Sequence, residues 1–443
     1  MATTYLTRTP GSASNRQTWT WSAWIKRSDL TTGYQTLFSS DVDSNNMTRI
    51  LFWGTQQLTV SSKVGGSFPI DYRLTRTFRD PSAWYHIVVA MDTTQATDTN
   101  RLKIYINGVL ETAYEGSSAS LPSLDEDTWI NSTNPQIIGK SQTYDGLYGG
   151  SMAMVQFVDG QQLTPAYFGS TDTASGIWTP QASSTISSYG TNGFKLKMDT
   201  ATPGADTSGN TNTFTVGAGT PTLTQGSPSN NWCTLNPLAR RFSSSPNTFS
   251  NGNTTSTFPA VNNSWNPVSA TFGMTKGKWY WESKSISGTA TYNGIMAQEP
   301  TSNTGDVWLG GIANQFGYSG GNGYVYVANS NQASLSSYTN GDTVSVAYDA
   351  DNNLIYFYKN GAIQNSGTGL AVPTPESTPL GAWFPAWSTW DQTTTVKSFN
   401  FGEGFFGTTA AGTQADDNGQ GLFAYDVPAG YYALNTKNLE AYG

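Results

Sequence analysis

Cysteine, histidine and charged residues are scarce in this chain of 443 residues. Cys233 is the single cysteine, which excludes an internal disulfide and any cluster of cysteine ligands around a metal. His86 is the single histidine, so neither a Ser-His-Asp triad nor a multi-histidine metal site is expected. Charged residues make up 12% of the chain, about half of the roughly 25% usual for soluble proteins. The fold must therefore be stabilised by packing, under a polar and largely uncharged surface.

The same composition argues against nucleic-acid binding and against membrane insertion. There are 22 Lys+Arg against 30 Asp+Glu, a net charge of -8, whereas phosphate binding needs a basic stripe. The longest apolar runs, such as 86–91, are strand-sized and far below the ~20 residues of a membrane-spanning helix. The N-terminal residues contain no apolar region followed by a small-residue cleavage site, so no Sec signal peptide is predicted.

Aromatic residues, by contrast, are abundant at 13%, with 15 Trp and 23 Tyr, which is too many for a disordered chain. Most segments consist of β-branched and aromatic residues, interrupted roughly every 8–12 residues by Gly, Asn, Asp or Pro. Asn107-Gly108 and Asn360-Gly361 stand where tight hairpins require positive φ angles. Helical signals are nearly absent, the best being a short turn after Leu163. This pattern predicts an all-β protein.

Composition divides the chain into four predicted regions. Residues 1–175 form a first run of strands, and residues 176–230 form a Ser/Thr/Gly-rich connector with a few strands. Residues 231–405 form a second run of strands, followed by a Gly-rich tail over residues 406–443. The tail contains aromatic residues that would be costly to leave in water, so we expect it to pack against the rest of the protein.

The first region contains an ordered set of strand motifs that resembles laminin-G-like, or concanavalin A-like lectin, domains. The motifs are WTWSAWIKRS from Trp19, LFSS from Leu37, AWYHIVVAMD from Ala83, RLKIYINGVLET from Arg101, IIGK from Ile137 and GGSMAMVQFVDGQQLTP from Gly149. The resemblance covers about 160 residues and implies a two-sheet antiparallel β-sandwich of the jelly-roll type. Trp84, Ile87 and Val89 alternate or cluster as residues of facing core strands would.

The second region contains motifs that resemble a SPRY domain, another sandwich with concanavalin-like layering. They are GKWYWESK from Gly277, DVWLGGIA from Asp306, GDTVSVAYDADNNLIYFYKNG from Gly341, WFPAWS from Trp383 and SFNFGE from Ser398. SPRY domains bind peptides or proteins through loops at one end of the sandwich, so the resemblance implies recognition rather than chemistry. The predicted fold class is thus two concanavalin-like antiparallel β-sandwiches joined by a β-rich connector.

A third resemblance covers residues 1–240 in order. The motifs are YLTRTPGSASNRQTWTWSAWIKRS, DGQQLTP, GIWTP, YGTNGFKLKMD, DTSGN and NNWCTLNPL, and together they resemble virion proteins of tailed bacteriophages. The resemblance implies a virion surface protein, a tail fibre or capsid appendage, made in the host bacterial cytoplasm without a signal peptide. Its expected partners are other virion proteins and a host cell-surface glycan or protein receptor. It is expected to form a homo-oligomer, trimeric if it is a fibre.

Two other functions remain open at this point: a structural role as capsid decoration, cement or spacer, and polysaccharide degradation. Glycan-cleaving sandwiches place carboxylates at alternating positions of one strand, where they face the same cleft. This chain has only 8 Glu, and its densest carboxylate cluster, Asp125-Glu126-Asp127, is consecutive, which is typical of a solvated turn. His86 lies on a predicted strand, where a structural role is expected. We therefore predict that the protein is not an enzyme.

Calcium is the one cofactor that the sequence suggests, and no other is predicted. Asp41, Asp43 and Asn45 have the spacing with which a loop presents oxygens to Ca²⁺, and laminin-G-like modules often hold calcium at the sandwich edge. The EF-hand pattern fails, because it requires Gly where Asn46 stands and Glu where Phe52 stands. A plain turn is the alternative, as it is for the similarly spaced Asp and Asn residues at 349–353.

Exposed Trp and Tyr side chains stack on the faces of sugar rings, and they are the predicted ligand-binding residues. Each of them could instead belong to a core, because strand patterns do not show which aromatic residues are exposed. The Gly-rich segment GYSGGNGYVYV from Gly317 is the most favourable loop. The candidates are Tyr318, Tyr324, Tyr326, Trp387 and Trp390 in the second region, with Trp53, Tyr72, Tyr144 and Tyr148 in the first.

Overall fold

Strands account for most of the regular structure in the computed structural model. It describes residues 4–30, 33–115, 120–144, 146–173, 175–181, 185–239, 247–260, 265, 267–288, 291–298, 308–390 and 393–443. The chain divides into two compact units, Met1–Leu223 and Thr224–Gly443. One α-helix is present among the described residues, and no described helix has the length and apolar character needed to cross a bilayer. The all-β prediction is therefore confirmed. The first two residues of the DVWLGGIA motif lie outside the described residues.

The first unit contains fifteen strands within its described residues. They are β1 Tyr5–Arg8, β2 Thr18–Arg27, β3 Gln35–Asp43, β4 Asn46–Phe52, β5 Gln57–Val64, β6 Ser67–Thr77, β7 Trp84–Asp92, β8 Leu102–Ile106, β9 Val109–Leu110, β10 Gln136–Ile138, β11 Gly150–Asp159, β12 Gly169–Thr171, β13 Trp178–Pro180, β14 Phe194–Leu196 and β15 Thr215–Ala218. Two single 3₁₀ turns, Asp98–Asn100 and Pro165–Tyr167, accompany them. The second of these turns follows Leu163, where the sequence had its best helical signal.

Thirteen of these strands form a sandwich of two antiparallel sheets, and β12 and β13 form a separate hairpin. The seven-stranded sheet has the order β15-β1-β10-β3-β4-β5-β6, and the six-stranded sheet has the order β14-β11-β2-β7-β8-β9. Because alternate strand residues point to opposite faces, Trp19, Trp21 and Ile25 of β2 face the other sheet, where they meet Phe38 and Ile50. Burying each such side chain contributes roughly 1.5–3 kcal/mol. The core between the two sheets thus holds the unit together.

Two strands of the predicted connector are part of this sandwich. β14 pairs with β11 in the six-stranded sheet, and β15 pairs with β1 in the seven-stranded sheet. The β12–β13 hairpin precedes β14 in sequence, and its Trp178 contacts His86 of β7. Residues 176–223 of the predicted connector therefore belong to the first compact unit.

The second unit contains the remaining strands and the helix. They are β16 Thr248–Ser250, β17 Thr255–Phe258, β18 Val268–Ser269, β19 Lys278–Ser287, β20 Thr291–Met296, β21 Gln315–Ser319, β22 Tyr324–Val327, β23 Ser330–Ser334, β24 Thr343–Asp349, β25 Leu354–Lys359, β26 Ala362–Ile363, β27 Leu370–Ala371, β28 Phe384–Thr389, β29 Thr395–Asn400, β30 Phe405–Phe406, β31 Thr409–Ala410, β32 Tyr432–Ala433 and α1 Thr436–Tyr442. Asn365–Gly367 and Pro375–Ser377 are 3₁₀ turns.

The second unit is also a sandwich. One sheet has the order β16-β17-β29-β19-β24-β25-β26, with β27 paired to β25 and β32 paired to β19, and the other has the order β18-β28-β20-β21-β22-β23. Trp279 and Trp281 of β19 face Phe316 of β21 and Trp387 of β28 across the core. The prediction of two β-sandwiches is therefore confirmed.

The two predicted hairpins form as expected. Asn107 and Gly108 join β8 to β9 with φ angles of 48° and 83°. Asn360 and Gly361 join β25 to β26 with φ angles of 48° and 79°. Positive φ at both central residues matches the twist of the flanking strands, which is why these positions favour Asn and Gly.

Glu282 of β19 ties the C-terminal residues to the larger sheet of the second unit. Its carboxylate is fully buried and accepts hydrogen bonds from the backbone N–H groups of Ala424 at 2.9 Å and Tyr425 at 3.0 Å. Asn400 Nδ2 donates to the same carboxylate at 3.2 Å, and the adjacent Phe423 is buried. Residues 406–443 of the predicted tail thus pack within the second unit.

Candidate functional site

Six aromatic side chains lie together on the second unit, and we refer to them as the tryptophan–tyrosine cluster. They are Trp265, Tyr292, Trp308, Tyr324, Tyr326 and Trp390. Trp265 links two parts of the cluster, with its ring centroid 5.2 Å from that of Trp390 and 5.3 Å from that of Tyr292. Trp308 lies 4.9 Å from both Tyr292 and Tyr326. The rings therefore form one continuous surface.

Strand alternation places three of these side chains on the outer face of the six-stranded sheet of the second unit. Ile295 of β20 and Val325 of β22 point into the core. Tyr292 is an odd number of positions from Ile295, and Tyr324 and Tyr326 flank Val325, so all three project from the opposite face. Their position is thus a direct consequence of which strand residues fill the core.

Gly317 of β21 explains how Trp308 reaches this face. A Cβ atom on Gly317 would lie 1.9 Å from the Leu309 carbonyl oxygen, so a glycine is required for the chain after Trp308 to lie this close to the sheet. The backbone N–H of Leu309 donates to Ser388 Oγ at 2.9 Å, which fixes the segment on β28. Trp308 is thereby held over the strands that carry Tyr292 and Tyr326.

The cluster is partly exposed and has a polar edge. Tyr324 is 38% exposed, and the other five side chains are half-buried. Asn322 Nδ2 donates to the Tyr326 hydroxyl at 2.8 Å, and Asn322 Oδ1 accepts from the Tyr324 N–H at 3.1 Å. Burial raises the pKa of Tyr292, so its hydroxyl stays protonated at neutral pH and can donate a hydrogen bond. The surface therefore combines aromatic faces with hydroxyl and amide groups.

Edge contacts between rings keep this surface rigid. The Trp308 and Tyr326 rings meet at 86° and the Trp265 and Tyr292 rings at 71°, and such edge-to-face pairs contribute about 0.5–1.5 kcal/mol each. With the rings in mutual contact, a ligand would lie along the surface rather than enter a space between the rings. This geometry suits stacking on an extended ligand.

Three of the five candidates predicted in the second region belong to the cluster, namely Tyr324, Tyr326 and Trp390. The other two, Tyr318 and Trp387, are fully buried in the core. They occupy inward-facing positions of β21 and β28, and the Tyr318 hydroxyl donates to a backbone carbonyl, that of Ser336. The prediction of ligand contact was wrong for these two, because strand parity directs them into the sandwich.

Sequence reasoning missed the other half of the cluster: Trp265, Tyr292 and Trp308. Tyr292 alternates with core residues of β20, so its sequence position is typical of a strand residue that faces outward. The sequence alone does not show which face of β20 points into the core. Trp308 precedes the glycine pair Gly310-Gly311, which is typical of a chain segment in close contact with a sheet. Trp265 lies in an Asn-rich stretch with no strand pattern, and nothing in the sequence indicated its position.

Of the four aromatic candidates of the first unit, two are buried and two are accessible. Tyr72 and Tyr148 are 6% and 5% exposed and belong to the hydrophobic core, so the prediction that they contact a ligand was wrong. The Tyr148 hydroxyl donates to the Lys26 carbonyl at 2.8 Å, which satisfies its polar end. Trp53 is half-buried and Tyr144 is 42% exposed, so both remain accessible.

The predicted calcium ligands have separate hydrogen-bond partners. Asp43 accepts from the Asn45 N–H at 2.7 Å and from Asn46 Nδ2 at 3.1 Å, and the first of these bonds lowers the pKa of Asp43. The buried Asp41 instead accepts from Ser141 Oγ at 2.5 Å. Asp43 and Asn45 thus form the turn that was the alternative to a metal site. Across the described ranges, no group of three His, Cys, Asp or Glu side chains is close enough together to hold a metal ion.

His86 is enclosed in the first unit. Trp178 Nε1 donates to His86 Nδ1 at 2.9 Å, so Nε2 carries the proton, and it lies 2.9 Å from Ser22 Oγ. The ring stacks on Trp24 with centroids 4.7 Å apart. Burial lowers the pKa of His86 to about 3, so the ring is neutral at physiological pH. These contacts agree with the predicted structural role.

Of the consecutive carboxylates, Asp125 and Glu126 belong to a turn, and Asp127 follows it directly. Asp125 has a φ of 59°, and Asp127 forms an ion pair with Arg16 at 3.4 Å. The backbone carbonyl of Glu126 accepts from Thr93 Oγ1 at 2.9 Å. These residues serve the local chain geometry, as the sequence pattern predicted.

Two parts of the chain match known families. Residues 2–166 match the Laminin_G_3 family, described as the concanavalin A-like lectin/glucanases superfamily. Residues 278–403 match the SPRY domain family. The predicted order of a concanavalin A-like module followed by a SPRY-like module is confirmed. Every member of the tryptophan–tyrosine cluster except Trp265 lies inside the SPRY match.

Solved structures show similarity to single regions of the chain. The SPRY domain of human HERC1 is 17% identical, with 37% of this chain and 96% of that chain covered and a TM-score of 0.30. A human SPRY domain is 18% identical over 33% of this chain and 90% of that chain, with a TM-score of 0.27. The SAP-like pentraxin of Limulus polyphemus is 18% identical over 36% of this chain and 71% of that chain, with a TM-score of 0.27. No curated protein matches the chain.

Proposed function

We propose that this protein is a non-enzymatic recognition protein that binds a glycan through the tryptophan–tyrosine cluster. The observation that carries the proposal is the cluster itself, six aromatic side chains linked by ring contacts, three of which project from the outer face of one sheet. The first unit matches a family described as concanavalin A-like lectins and glucanases, and the resemblance of the second region to SPRY domains implies recognition of a partner. A soluble protein rarely exposes grouped aromatic rings unless a partner covers them.

A glycan matches the chemistry of the cluster better than a compact apolar ligand does. Sugar rings present apolar C–H faces that stack on Trp and Tyr, and their hydroxyls exchange hydrogen bonds with amide and phenol groups. Asn322 and the hydroxyls of Tyr324 and Tyr326 supply such groups at the edge. Because neighbouring rings contact one another along the surface, an elongated chain of sugars fits it better than a small enclosed molecule.

The absence of catalysis is part of this proposal. Glycan hydrolysis requires two carboxyl groups on opposite sides of one scissile bond. The densest carboxylate run of the chain, 125–127, lies at a turn, and the single histidine is enclosed between Trp24 and Trp178. These placements favour binding without turnover. Release of reducing ends from bacterial or algal polysaccharide by the purified protein would contradict it.

We assign the protein to the surface of a tailed-bacteriophage particle, as a tail fibre or capsid appendage that contacts a host cell-surface glycan. The ordered motifs of residues 1–240 and the low charge and single cysteine of the chain support this assignment. Other virion proteins and further copies of the chain would be its remaining partners. Gold-labelled antibody on intact particles tests it, because unlabelled particles from a lysate that contains the protein would contradict a virion location.

The binding experiment uses the full chain on a broad glycan array, together with the Trp308→Ala variant. The expected result is binding to one or a few glycans by the natural protein and its loss in the variant. Tyr167→Ala, which removes a 39% exposed tyrosine from the first unit, is the control that should bind normally. Absence of binding on the array and in a pulldown with host cells would contradict the proposal.

A structural role as cement or spacer is the second candidate, since exposed aromatic residues also anchor protein interfaces. Sedimentation of the natural protein and of Trp308→Ala separates the two functions. Loss of self-association in the variant, without any glycan bound by the natural protein, would favour the structural role.

A further inference from the structure

The six-stranded sheet of the second unit, which carries the tryptophan–tyrosine cluster, has no charged residue in any of its described strands. Strands β18, β20, β21, β22, β23 and β28 contain only apolar, aromatic, hydroxyl, amide and glycine residues. The sequence of residues 308–341 also lacks Asp, Glu, Lys, Arg and His, and no Lys or Arg occurs between Lys284 and Lys359. The part of the chain that carries most of the cluster therefore offers no cation of its own.

The charged residues on the strands of the second unit belong to its other sheet. They are Lys278, Glu282 and Lys284 of β19, Asp349 of β24, Lys359 of β25 and Lys397 of β29. Lys278 pairs with Asp349 at 3.0 Å, Lys359 pairs with Asp342 at 3.4 Å, and Lys397 is fully buried. Because the hydrophobic core separates the two sheets, these lysines lie away from the outer face that carries the cluster.

β23 is the last strand of the uncharged sheet, and it adds polar side chains beside the rings. Asn331 lies opposite Tyr326 and Ser334 lies opposite Tyr324, so both project from the outer face together with the tyrosines. Both residues are exposed. The Ala333 N–H donates to Asn331 Oδ1 at 3.1 Å, which orients the carboxamide. Each tyrosine of β22 is thus flanked by an uncharged group that can exchange hydrogen bonds with hydroxyls.

The charged residues nearest in sequence to two of the tryptophans are acidic. Asp306 precedes Trp308 by two positions, and Asp391 directly follows Trp390. Both aspartates lie outside the described residues. Acidic residues near these tryptophans in the chain would oppose an anionic ligand rather than attract it.

We infer that the tryptophan–tyrosine cluster selects neutral glycans over acidic ones, an inference that rests on the proposed glycan-binding function. The face of an aromatic ring is the negative part of its quadrupole, so it repels a carboxylate or sulfate held over it. The same anionic group would lose water on binding without gaining a cationic partner, which is costly. A neutral sugar avoids both costs, and its hydroxyls can bond to Asn322, Asn331 and Ser334.

The test uses the full chain on an array that carries neutral oligosaccharides beside their uronic-acid, sulfated and free-amine counterparts of equal length. Only binding that Trp308→Ala removes is attributed to the cluster. A neutral member should bind at least roughly tenfold more tightly than its uronic-acid counterpart. Calorimetry at about 0.1 M and about 1 M NaCl, between which the screening length falls from about 10 Å to about 3 Å, should give affinities within about twofold of each other.

A charge placed next to the rings gives a second test. Asn331→Lys adds a cation beside Tyr326, so it should raise the affinity for the uronic-acid counterpart relative to the neutral glycan by roughly two- to fivefold. This gain should disappear at about 1 M NaCl. Asn340→Lys adds the same charge at an exposed turn before β24 of the other sheet, and it should leave the ratio unchanged. Equal ratios in the two variants would contradict the inference.

The outcomes separate this inference from the proposed function. If the natural protein bound no glycan, the proposed function would fail and the inference with it. If Trp308→Ala removed binding that favours uronic-acid, sulfated or free-amine members, the cluster would remain a glycan site and its selection of neutral sugars would be refuted. A tenfold loss of affinity at the higher salt concentration would have the same meaning.

Discussion

The rings of Trp308 and Tyr326 meet edge to face, with 4.9 Å between their centroids and 86° between their planes. This contact joins the segment that lies over Gly317 to the outer face of β22, so it connects the two halves of the cluster. Removing either ring would interrupt the surface without opening the core, because both side chains lie outside the sandwich.

Trp308→Ala is therefore expected to weaken glycan binding far more than it weakens folding. Loss of a central aromatic anchor should reduce affinity roughly ten- to a hundredfold. The melting temperature should fall only slightly, since the lost ring contacts contribute on the order of 1 kcal/mol. Calorimetric titration and thermal unfolding of the variant and of Tyr167→Ala measure both effects. Equal affinities of the two variants would contradict a binding role for Trp308.

Glu282 is expected to make the second unit less stable as the pH rises from about 4.5 to 7. Burial raises the pKa of Glu282 to about 7, although the hydrogen bonds from Ala424 and Tyr425 oppose the rise. The folded state thus retains a proton that the unfolded chain releases near pH 4.5. The free energy of unfolding therefore decreases as the pH rises from 4.5 to 7. The loss is on the order of 3 kcal/mol for a shift of this size.

Glu282→Gln keeps the shape of the side chain and removes its charge, so this pH dependence should disappear. Urea unfolding at several pH values between 4.5 and 8 measures it. Glu376→Gln, at an exposed carboxyl group, is the control that should follow the natural protein. If the stability of Glu282→Gln still fell by the same amount between pH 4.5 and 7, the buried carboxyl group of Glu282 would not be the cause of the decrease.

Lys397 of β29 should have the opposite effect at higher pH, because it should make the second unit more stable as the pH rises above 7. Its side chain is fully buried, Nζ donates to Ser285 Oγ at 3.0 Å, and it lies 5.1 Å from the Tyr338 ring centroid. Burial lowers the pKa of Lys397 to about 7. The unfolded chain then binds a proton that the folded state does not, so stability should rise from pH 7 towards 10.5.

Lys397→Met removes the buried amine and should raise stability near neutral pH, by roughly 4–5 kcal/mol at most. The stability of the variant should also not increase between pH 7 and 10. Lys437→Met, at an exposed lysine, should change neither quantity. Chemical unfolding at pH 6, 8 and 10 supplies the comparison, and parallel curves for natural protein and Lys397→Met would refute the prediction.

The strands and hairpins could be predicted because the rules for them are local. Asn107-Gly108 and Asn360-Gly361 adopt positive φ angles as their sequence indicates, and the alternation in β2 and β7 identifies core strands. The order of the two modules followed from motifs that are continuous in sequence. Each of these features is set by residues that lie within a few positions of one another.

The candidate site could be predicted only in part, because exposure is a property of the assembled sheets. Tyr318 and Tyr324 lie on neighbouring strands and are equally aromatic, yet one is fully buried and the other is 38% exposed. The difference depends on which face meets the partner sheet, and that pairing joins residues far apart in sequence. Trp265 could not be predicted for the same reason, because its contacts with Tyr292 and Trp390 join segments that are far apart in sequence.

His86 gives the most direct test of the first unit, because a single histidine makes its signals unambiguous. With its pKa lowered to about 3 by burial, the C2–H resonance should not shift between pH 8 and 5 in NMR spectra. The unfolded chain binds a proton near pH 6.5, whereas the folded state does not, so the first unit should lose stability as the pH falls from 6.5 towards 3.

Trp178→Phe removes the hydrogen-bond donor to His86 Nδ1 and should destabilise the first unit by about 1–3 kcal/mol. A resonance that titrates near pH 6.5 in the folded natural protein would show that the ring is accessible, and would leave the enclosed geometry of Trp24, His86 and Trp178 without support.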